Sequence, residues 1–589
     1  MKSEGPKSAY NLMIVPAAPK VIGRLKSWHH WQWCYMGTSS TVRESIQNAL
    51  GAERRHYYAG ELDDVAVGMR SAFLDWIGQV GKTRDLSTWW ATNTAYKNPL
   101  ISDLFLECCF LALIGKWIAS NVMNRVVILD APEMIIACKE NFSEEKIYVA
   151  PCRTFIIRKM VAQRLLLFAR AVFHLSRALG LWAANKVISA HHPDAAARLK
   201  SPLDVLTSTW VEGRSFRKDG SFYDPYLGTL NDFIAERRFS VCTVSLPLIP
   251  IHLMRQAYRS GKVIPGMFFL SLADIFSSAF KAWRLCIDEA APRLCDIDLT
   301  VLFRFEILRD KINAFSALLH YHAIRNMLQR EKVQCKHLLY PFENQPWDKM
   351  MIMAVREAGS PCRIIGCQHT VAPFFLLNFY LGKGEADVHP QPDTIVSSGT
   401  HWASVVKNAG FTCSVENGGS MRYGAPAKAR STATDGAKRY QSVLVLLSHS
   451  LSYSLDLLFY LIRNNNSDRS YLVKPHPDTP ETVLRKYIKE FPSNFTFVDG
   501  PMEDWIGKVG WAIHVGTTAA IECMMNDVQV IKYLPERIDL DPLTDLPIEQ
   551  AVATDAVAPD FESKIHYDLP DAGLIGEPFN RSAWENIFG

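Results

Sequence analysis

The segment 474-KPHP-477 places a histidine between two prolines, directly after a lysine that ends an apolar run. Pro477 cannot extend a central strand, and it biases His476 away from the helical conformation. The chain should therefore turn here and hold the side chains of Lys474 and His476 at the edge of a sheet. Both side chains can donate hydrogen bonds to a phosphate. A turn histidine bonded only to the local backbone is the alternative.

A second segment, 515-VGTTAAIEC-523, runs from an apolar strand pattern straight into a helix-like pattern. Gly516, Thr517 and Thr518 offer hydroxyl groups and free backbone N–H groups at the positive end of that helix, which suits a phosphate. Glu522, one turn further on, could accept hydrogen bonds from a ribose. Simple N-capping of the helix is the alternative for the two threonines.

Polar residues also follow three other strand-like runs. SVLVLLSHS leaves Ser448 and His449 at its end, while CKHLLYPF precedes Glu343 and CRIIGCQH ends in His369. A carboxylate or a histidine in a cleft can remove a proton from an acceptor hydroxyl, so Glu343, or His369 in its place, is the expected general base. For Glu343, an acidic charge at the start of a helix is the alternative.

These residues share a structural setting, because each follows an apolar run of strand length. From residue 335 onward such runs alternate with helix-like patterns, which predicts parallel sheets. Ligands of such sheets bind at the carboxyl ends of the strands. Residues 413–439 have the Gly, Ala, Ser and Lys content of a linker. We therefore expect an α/β fold with two Rossmann-like domains facing a cleft, an acceptor-side domain over 1–412 and a nucleotide-sugar-binding domain over 440–589.

The first half of the chain also contains strand-like runs, but long stretches of it are helical in pattern. The expected strands are 11–18, 125–132 and 203–211. The chain is predicted to be largely helical from about 228 to 330, so that 153–330 would form a helical elaboration of the first domain. Within it, 214-RSFRKDGSFYDPYLGTL-230 is either a site for an acidic or polyhydroxy acceptor or an ordinarily packed loop.

Residues 153–186 hold six Arg or Lys residues before Lys186 and no acidic residue. A basic amphipathic helix of this kind can lie on an anionic membrane surface. The alternative is a core helix whose arginines face solvent or a partner helix. Charges interrupt this segment and the two other long apolar runs, which argues against membrane spans.

Composition is that of a globular protein, with 589 residues, 48% hydrophobic and 21% charged. A net charge of only +4 argues against nucleic-acid binding by the molecule as a whole. The thirteen cysteines lack metal-ligand spacing, which suggests free thiols in a reducing cytosol. The first twenty residues show no signal-peptide pattern.

The KPHP and VGTTAAIEC segments resemble the His-Pro and Ser/Thr motifs of bacterial sialyltransferases. Related patterns occur in capsule Kdo transferases and CDP-glycerol glycerophosphotransferases. The sequence also resembles an uncharacterised family of bacterial surface-carbohydrate biosynthesis proteins, in the pieces SDLF, YDPYLG, YPFENQPWDKM and GCQHT. The resemblance implies a GT-B fold and a CMP-sugar or CDP-alcohol substrate. It would place His476 and Pro477 at the nucleotide phosphate, and Thr517 and Thr518 at a phosphate or carboxylate.

One departure from that pattern concerns the base. The sialyltransferases carry it in an Asp/Glu-Asp/Glu-Gly motif of the first domain, and this sequence has no such triplet there. Glu343 is the expected substitute, with His369 second, since the glycerophosphotransferases use a histidine in a similar place.

Together these features predict a cytoplasmic glycosyltransferase of bacterial surface-glycan biosynthesis. It would transfer an acidic sugar, of the nonulosonic acid or Kdo type, from a CMP-activated donor to a hydroxyl of a glycan or lipid-linked glycan, with no other cofactor and no metal. Contact with the inner membrane through 153–186 is a further expectation. The alternatives are a sugar-nucleotide 2-epimerase, a UDP-sugar transferase of the same fold, and a non-catalytic assembly protein that binds a glycan or lipid carrier. The helical region at 228–330 favours a transferase that handles an acceptor.

Overall fold

The computed structural model describes residues 11–142, 147–285, 293–421, 436–544, 548–563 and 576–589. Within them the strands form three sheets, of four, seven and six strands. Every pairing between strands of these sheets is parallel. The predicted α/β class with parallel sheets is therefore confirmed.

The four-stranded sheet has the order β2-β3-β1-β4. Its strands are β1 Leu12–Pro16, β2 Gln32–Tyr35, β3 Arg125–Leu129 and β4 Ile147–Val149. The accompanying helices are α1 Pro19–Leu25, α2 Ser40–Leu50, α3 Ala59–Lys82, α4 Leu86–Trp89, α5 Asn93–Tyr96, α6 Leu104–Ala119 and α7 Pro132–Asn141. All five residues of β1 and of β3 are buried, as expected of parallel strands covered on both faces.

The seven-stranded sheet has the order β11-β10-β9-β8-β5-β6-β7. Its strands are β5 Leu203–Thr209, β6 Val241–Ser245, β7 Val263–Pro265, β8 Cys335–Pro341, β9 Arg363–Cys367, β10 Thr394–Ser397 and β11 Ser414–Asn417. The helices of this part are α8 Arg153–Ala190, α9 Asp194–Ala197, α10 Thr229–Glu236, α11 Ile251–Ser260, α12 Leu272–Trp283, α13 Thr300–Gln329, α14 Pro346–Glu357 and α15 Thr400–Asn408.

The six-stranded sheet has the order β14-β13-β12-β15-β16-β17. Its strands are β12 Ser442–Leu446, β13 Ser470–Lys474, β14 Phe495–Phe497, β15 Trp511–His514, β16 Gln529–Tyr533 and β17 Ala551–Ala553. The remaining helices are α16 Gly436–Gln441, α17 Leu451–Arg463, α18 Glu481–Leu484, α19 Glu503–Ile506, α20 Ala519–Met524 and α21 Arg581–Phe588.

The structure differs from the predicted layout in three places. The segment 153–330 is not a purely helical elaboration: besides the predicted strand at 203–211, which is β5, it contains β6 and β7, and all three belong to the seven-stranded sheet. The expected linker 413–439 begins with a strand, β11, and its residues 422–435 lie outside the described part. The segment 440–589 does not stay with one sheet, since Trp584 of α21 is buried against the seven-stranded sheet. Short strands and long-range docking give little local sequence signal, which explains these differences.

Candidate active site

The carboxyl ends of three adjacent strands lie side by side in the six-stranded sheet. Leu446, the last residue of β12, pairs with Lys474 of β13 on one side and with His514 of β15 on the other. A cavity of about 650 Å³ opens at this edge, and Lys474, His476 and Thr517 all line it. The sequence prediction that these three residues share one edge therefore agrees with the geometry.

His476 is oriented by its own turn. Its Nδ1 accepts the backbone N–H of Asp478 at 3.2 Å, so the proton of the neutral ring lies on Nε2. Burial lowers the pKa of His476, the charge of Asp478 opposes that change, and the nearby charges of His449 and Arg214 add to it. The local-backbone alternative therefore describes only Nδ1, which accepts a hydrogen bond within the turn, whereas Nε2 is left as a donor. The rings of His476 and His449 are 5.9 Å apart.

The segment after β15 makes a tight turn that requires glycine. Gly516 has φ of +59°, and a Cβ there would lie 3.3 Å from two atoms of Leu540. Thr518 is at the N-cap position of α20 but makes no side-chain capping bond, whereas the Thr517 hydroxyl accepts the N–H of Ala519 at 3.4 Å. N-capping thus does not account for Thr518. Because α20 has only six residues, its dipole adds little to an anion site.

Of two other residues predicted to bind the nucleotide, Glu522 lies near Lys474, whereas Ser448 is buried. Burial and Glu503 raise the pKa of Glu522, and Lys474 opposes that rise, so Glu522 lies near the lysine. Ser448 is 2% exposed, and its carbonyl accepts the hydroxyls of Ser454 and Thr479. We assign Ser448 to holding the loops together rather than to ligand contact.

On the seven-stranded sheet, Glu343 and His369 form a pair. The Nε2 of His369 lies 3.2 Å from Oε1 of Glu343, and their side chains are 2% and 25% exposed, respectively. The amide of Gln345 donates to the other carboxylate oxygen of Glu343. Burial raises the pKa of Glu343, but the hydrogen bond and charge of His369, with smaller contributions from Gln345 and His449, hold it below its ordinary value. Glu343 is thus ionised at neutral pH.

Aromatic side chains surround this pair. The ring of Tyr226 lies 5.2 Å from that of His369, and Trp210 is 4.8 Å from Tyr226. The Tyr226 hydroxyl donates to Glu212 at 2.6 Å and accepts from Arg214 at 3.0 Å. Sequence reasoning left the segment 214–230 open between acceptor site and loop packing, and it missed Trp210, which follows β5 at the same sheet edge.

Asp224 of that segment is 1% exposed and lies near His369, whose charge acts on it. Its Oδ1 accepts two backbone N–H groups, from Tyr226 and Leu227. Among the described residues, Nδ1 of His369 has no hydrogen-bond partner. Burial of Asp224 raises its pKa.

Side chains of the two edges lie close enough to shift one another's pKa, and the space between them is called the cleft here. His449, after β12 of the six-stranded sheet, contributes to lowering the pKa of Glu343, and Glu343 in turn opposes the lowering of the pKa of His449. Arg214, in the segment after β5 of the seven-stranded sheet, contributes to lowering the pKa of His476. Desolvation in the cleft lowers the pKa of His449 as well, so both histidines are uncharged near pH 7. The cleft therefore combines a carboxylate on one wall with neutral hydrogen-bonding histidines and a lysine on the other.

The described residues contain no group of three or more His, Cys, Asp or Glu side chains suited to a metal ion. The pair Asp539 and Asp541 faces Lys532 instead, at 2.5 and 3.6 Å.

Comparison with known proteins gives structural resemblances only. No protein-family model and no curated protein matches the sequence. Arabidopsis thaliana UGT89C1 is 11% identical, with 63% of this chain and 92% of that chain covered and a TM-score of 0.35. The lipopolysaccharide outer core galactosyltransferase WaaB is 10% identical, with 65% and 91% covered and a TM-score of 0.34. A trehalose-phosphate synthase (UDP-forming) from Burkholderia vietnamiensis is 9% identical, with 61% and 89% covered and a TM-score of 0.35. Scores below 0.5 are too low to carry a functional inference, which must come from the side chains of the cleft.

Proposed function

We propose that this protein is a cytoplasmic glycosyltransferase that moves an acidic sugar from a CMP-activated donor to a hydroxyl of a surface-glycan acceptor. The observation that carries the proposal is the pairing of opposite chemistries across one cleft. An ionised Glu343 lies on one wall, and a lysine with a donor histidine lies on the other. The resemblance of KPHP and VGTTAAIEC to sialyltransferase motifs supports the choice of a CMP-sugar.

In this proposal Glu343 accepts the proton of the acceptor hydroxyl. The acceptor oxygen then bonds to the anomeric carbon, and the bond from that carbon to the phosphate oxygen breaks. CMP leaves with the electron pair. Lys474 and His476 stabilise the negative charge on the departing phosphate, a role that elsewhere falls to a metal ion. Thr517 and Thr518 would add hydroxyl donors to the same phosphate or to the sugar carboxylate.

The side chains of Glu343 and His369 differ in how far they are exposed, and this suggests different roles. The side chain of His369 is 2% exposed, so a substrate in the cleft reaches Glu343 first. We therefore propose Glu343 as the base and His369 as the residue that orients it and keeps it ionised.

Nucleotide binding tests the proposal without knowledge of the acceptor. A ligand at a hundredfold excess over Kd stabilises the folded state by about 2.7 kcal/mol. CMP and CDP should raise the melting temperature more than UMP, UDP or GDP, in the presence of a chelator. His476→Ala should abolish the shift, and Thr517→Ala should reduce it. Replacement of the exposed His252 of helix α11 by Ala should leave it unchanged.

Other outcomes have definite meanings. If UDP stabilises the protein as well as CMP does, a UDP-sugar transferase or a sugar-nucleotide 2-epimerase replaces the CMP-sugar proposal. If no nucleotide stabilises it at millimolar concentration, the cleft is not a nucleotide site, and a non-catalytic assembly protein becomes the better account.

A further inference from the structure

Helix α8 is long, apolar and poorly covered by the rest of the molecule. It has 38 residues, of which only Ala178, Leu181 and Asn185 are classed as buried. Only 11% of its most apolar stretch of 18 residues is buried. Within the described ranges it is the one helix whose length and composition would allow it to cross a membrane. Apolar surface left uncovered on this scale marks an interaction site.

Five of the eight large apolar residues that α8 exposes form a stripe. Ile157, Val161, Leu165, Phe168 and Val172 follow one another at spacings of four, four, three and four residues. This spacing places them on one face of a helix. Each is between 49% and 64% exposed. At about 1.5 Å per residue the stripe is roughly 22 Å long.

Helix α12 continues this surface. Leu272, Phe276, Phe280 and Trp283 repeat the same spacing and are between 41% and 61% exposed. The rings of Phe168 and Trp283 are 6.4 Å apart, so the two stripes meet. Together the nine residues form one apolar patch. The opposite face of α12 packs inward through Ile275, Ser278 and Ala282.

Positive charge borders the patch. Helix α8 carries seven Arg or Lys residues and no Asp or Glu. On the other side, Arg284 lies over the ring of Phe280 at 5.1 Å and Lys311 lies over that of Trp283 at 5.0 Å. Apolar side chains flanked by cations are the surface that an anionic lipid headgroup region complements.

We propose that the apolar patch and the cations around it bind the protein to the surface of an anionic membrane. The nine apolar side chains would enter the boundary between headgroups and acyl chains, while the cations of α8 face the lipid phosphates. This inference rests on helices α8 and α12 alone, so it stands or falls independently of the proposed catalytic cleft.

Electrostatic repulsion argues against a second copy of the chain as the partner that covers the apolar patch. A symmetric dimer brings the same surface of both subunits together. Two α8 helices would then oppose seven cations to seven cations with no acidic residue on either helix. Such an arrangement repels itself.

A span through the bilayer also fits poorly. The second half of α8 is fastened to the protein, because Arg177 donates to the carbonyl of Leu248 at 2.8 Å and Trp182 donates to that of Leu270 at 3.0 Å. Asn185 accepts the hydroxyl of Tyr258 at 2.8 Å. Crossing a membrane would break these contacts and would carry Arg164 and Arg170 into the hydrocarbon.

Vesicle binding of the full chain tests the proposal. The protein should sediment with phosphatidylcholine vesicles that contain phosphatidylglycerol, and much less with phosphatidylcholine alone. The apolar triple variant Ile157→Ser, Leu165→Ser, Phe168→Ser should weaken binding at least tenfold. Reversal of Arg158, Arg164 and Arg170 to Glu should weaken it at least a hundredfold at low salt, because the loss of each of the three cations alone costs about a factor of five.

Matched controls separate the patch from general charge and apolarity. Reversal of the exposed Lys407, Lys486 and Lys489 lowers the net charge by six, from +4 to −2, as the arginine triple also does, and should leave binding near wild type. Met123→Ser with Val552→Ser removes exposed apolar residues away from the patch and should also have little effect. Because every altered residue is exposed, the variants should fold, and the single change Phe168→Ser serves if a triple does not.

Three results would overturn the proposal. The first is a wild-type protein that does not bind anionic vesicles, or triple variants that bind as wild type does. The second is a concentration-dependent dimer in sedimentation velocity that the apolar triple abolishes, which would assign the patch to a second copy. The third is membrane association that resists carbonate extraction, which would indicate a span.

Discussion

At the scale of single residues, the paired Glu343 and His369 are the most informative feature of the cleft. Sequence reasoning identified both residues because each follows a buried strand, but it could not choose between them. The choice depends on how exposed each of the two side chains is and on the hydrogen bond between His369 and Glu343, and neither has a local sequence signal. The 25% exposed carboxylate and the 2% exposed imidazole suggest distinct roles.

The division of roles predicts different pH profiles for two variants. Glu343→Gln should lower the turnover of the proposed reaction by about 10²–10⁴-fold, since it removes the base but keeps its shape. His369→Ala should retain more activity. The bond and charge of His369 help to hold the pKa of Glu343 below its ordinary value. Losing them raises that pKa, so more of the carboxyl is protonated in acid, and the acid limb of the profile moves to higher pH.

The profile of kcat/KM against pH checks this, with exposed Glu416→Gln as a control that should behave as wild type. A purely structural role for His369 would lower activity at every pH without moving the limb. Normal turnover in Glu343→Gln with none in His369→Ala would make the histidine the base.

At the scale of elements, helix α21 shows how far a local pattern can mislead. It belongs in sequence to the last segment of the chain, yet Trp584 and Ile587 are buried with Val205, Leu339, Ile365 and Val396 of the seven-stranded sheet. The indole N–H of Trp584 donates to the carbonyl of Gly418 at 3.1 Å, and its ring stacks on Phe579. The last residues of the chain thus help to complete the sheet that carries Glu343.

Removing this anchor should destabilise the seven-stranded sheet. Trp584→Ala should lower the free energy of unfolding by about 3–5 kcal/mol, because a fully buried indole is lost and a cavity remains. Trp283→Ala is the matched control: the residue is 47% exposed, and we expect a cost below about 1 kcal/mol. Hydrogen exchange of the β9 and β10 amides would locate the effect. Equal costs for the two variants, or exchange that changes elsewhere, would show that α21 is not an anchor of this sheet.

Some of the other elements could likewise be predicted from the local sequence, and others could not. Strands β1, β3, β8 and β12 were predictable because each contains at least four consecutive buried residues, nearly all of them apolar, between clear breaks. Strands β2 and β7 have only four and three residues and gave too weak a pattern. The turn at His476 was predictable because proline restricts the backbone on its own.

At the scale of the whole molecule, buried ion pairs join the N-terminal part to the last sheet. Arg43 lies 2.9 Å from Asp456, and Arg537 lies 2.6 Å from the same carboxylate. Arg55 pairs with Glu536 at 2.6 Å and with Asp555 at 2.8 Å. Arg43 and Arg55 are more than 400 positions from these acidic partners in sequence, so no local pattern predicts their contact. The four-stranded sheet is therefore fixed to the sheet that lines the proposed donor site.

The ion pairs make a pH-dependent prediction about stability. Asp456 is fully buried between two arginines, and its replacement by Asn would leave both cations without their carboxylate. Removing one partner of a buried pair typically costs about 3–5 kcal/mol. Asp456→Asn should therefore unfold at clearly lower urea concentration than wild type at pH 7. Exposed Glu562→Gln, which loosens the pair with Arg469, should cost less than about 1 kcal/mol.

The difference between wild type and Asp456→Asn should disappear in acid. Burial raises the pKa of Asp456, but Arg43 and Arg537 outweigh burial and lower it below its ordinary value. A lowered pKa means that the carboxylate contributes its stability above the unfolded-state pKa of about 3.9, and loses it as the pH falls through the folded-state value. Urea midpoints of the two proteins should be far apart at pH 7 and should converge only below about pH 4. A gap that is already small at pH 7, or one that keeps its size in acid, would mean that the carboxylate charge does not hold these two parts of the molecule together.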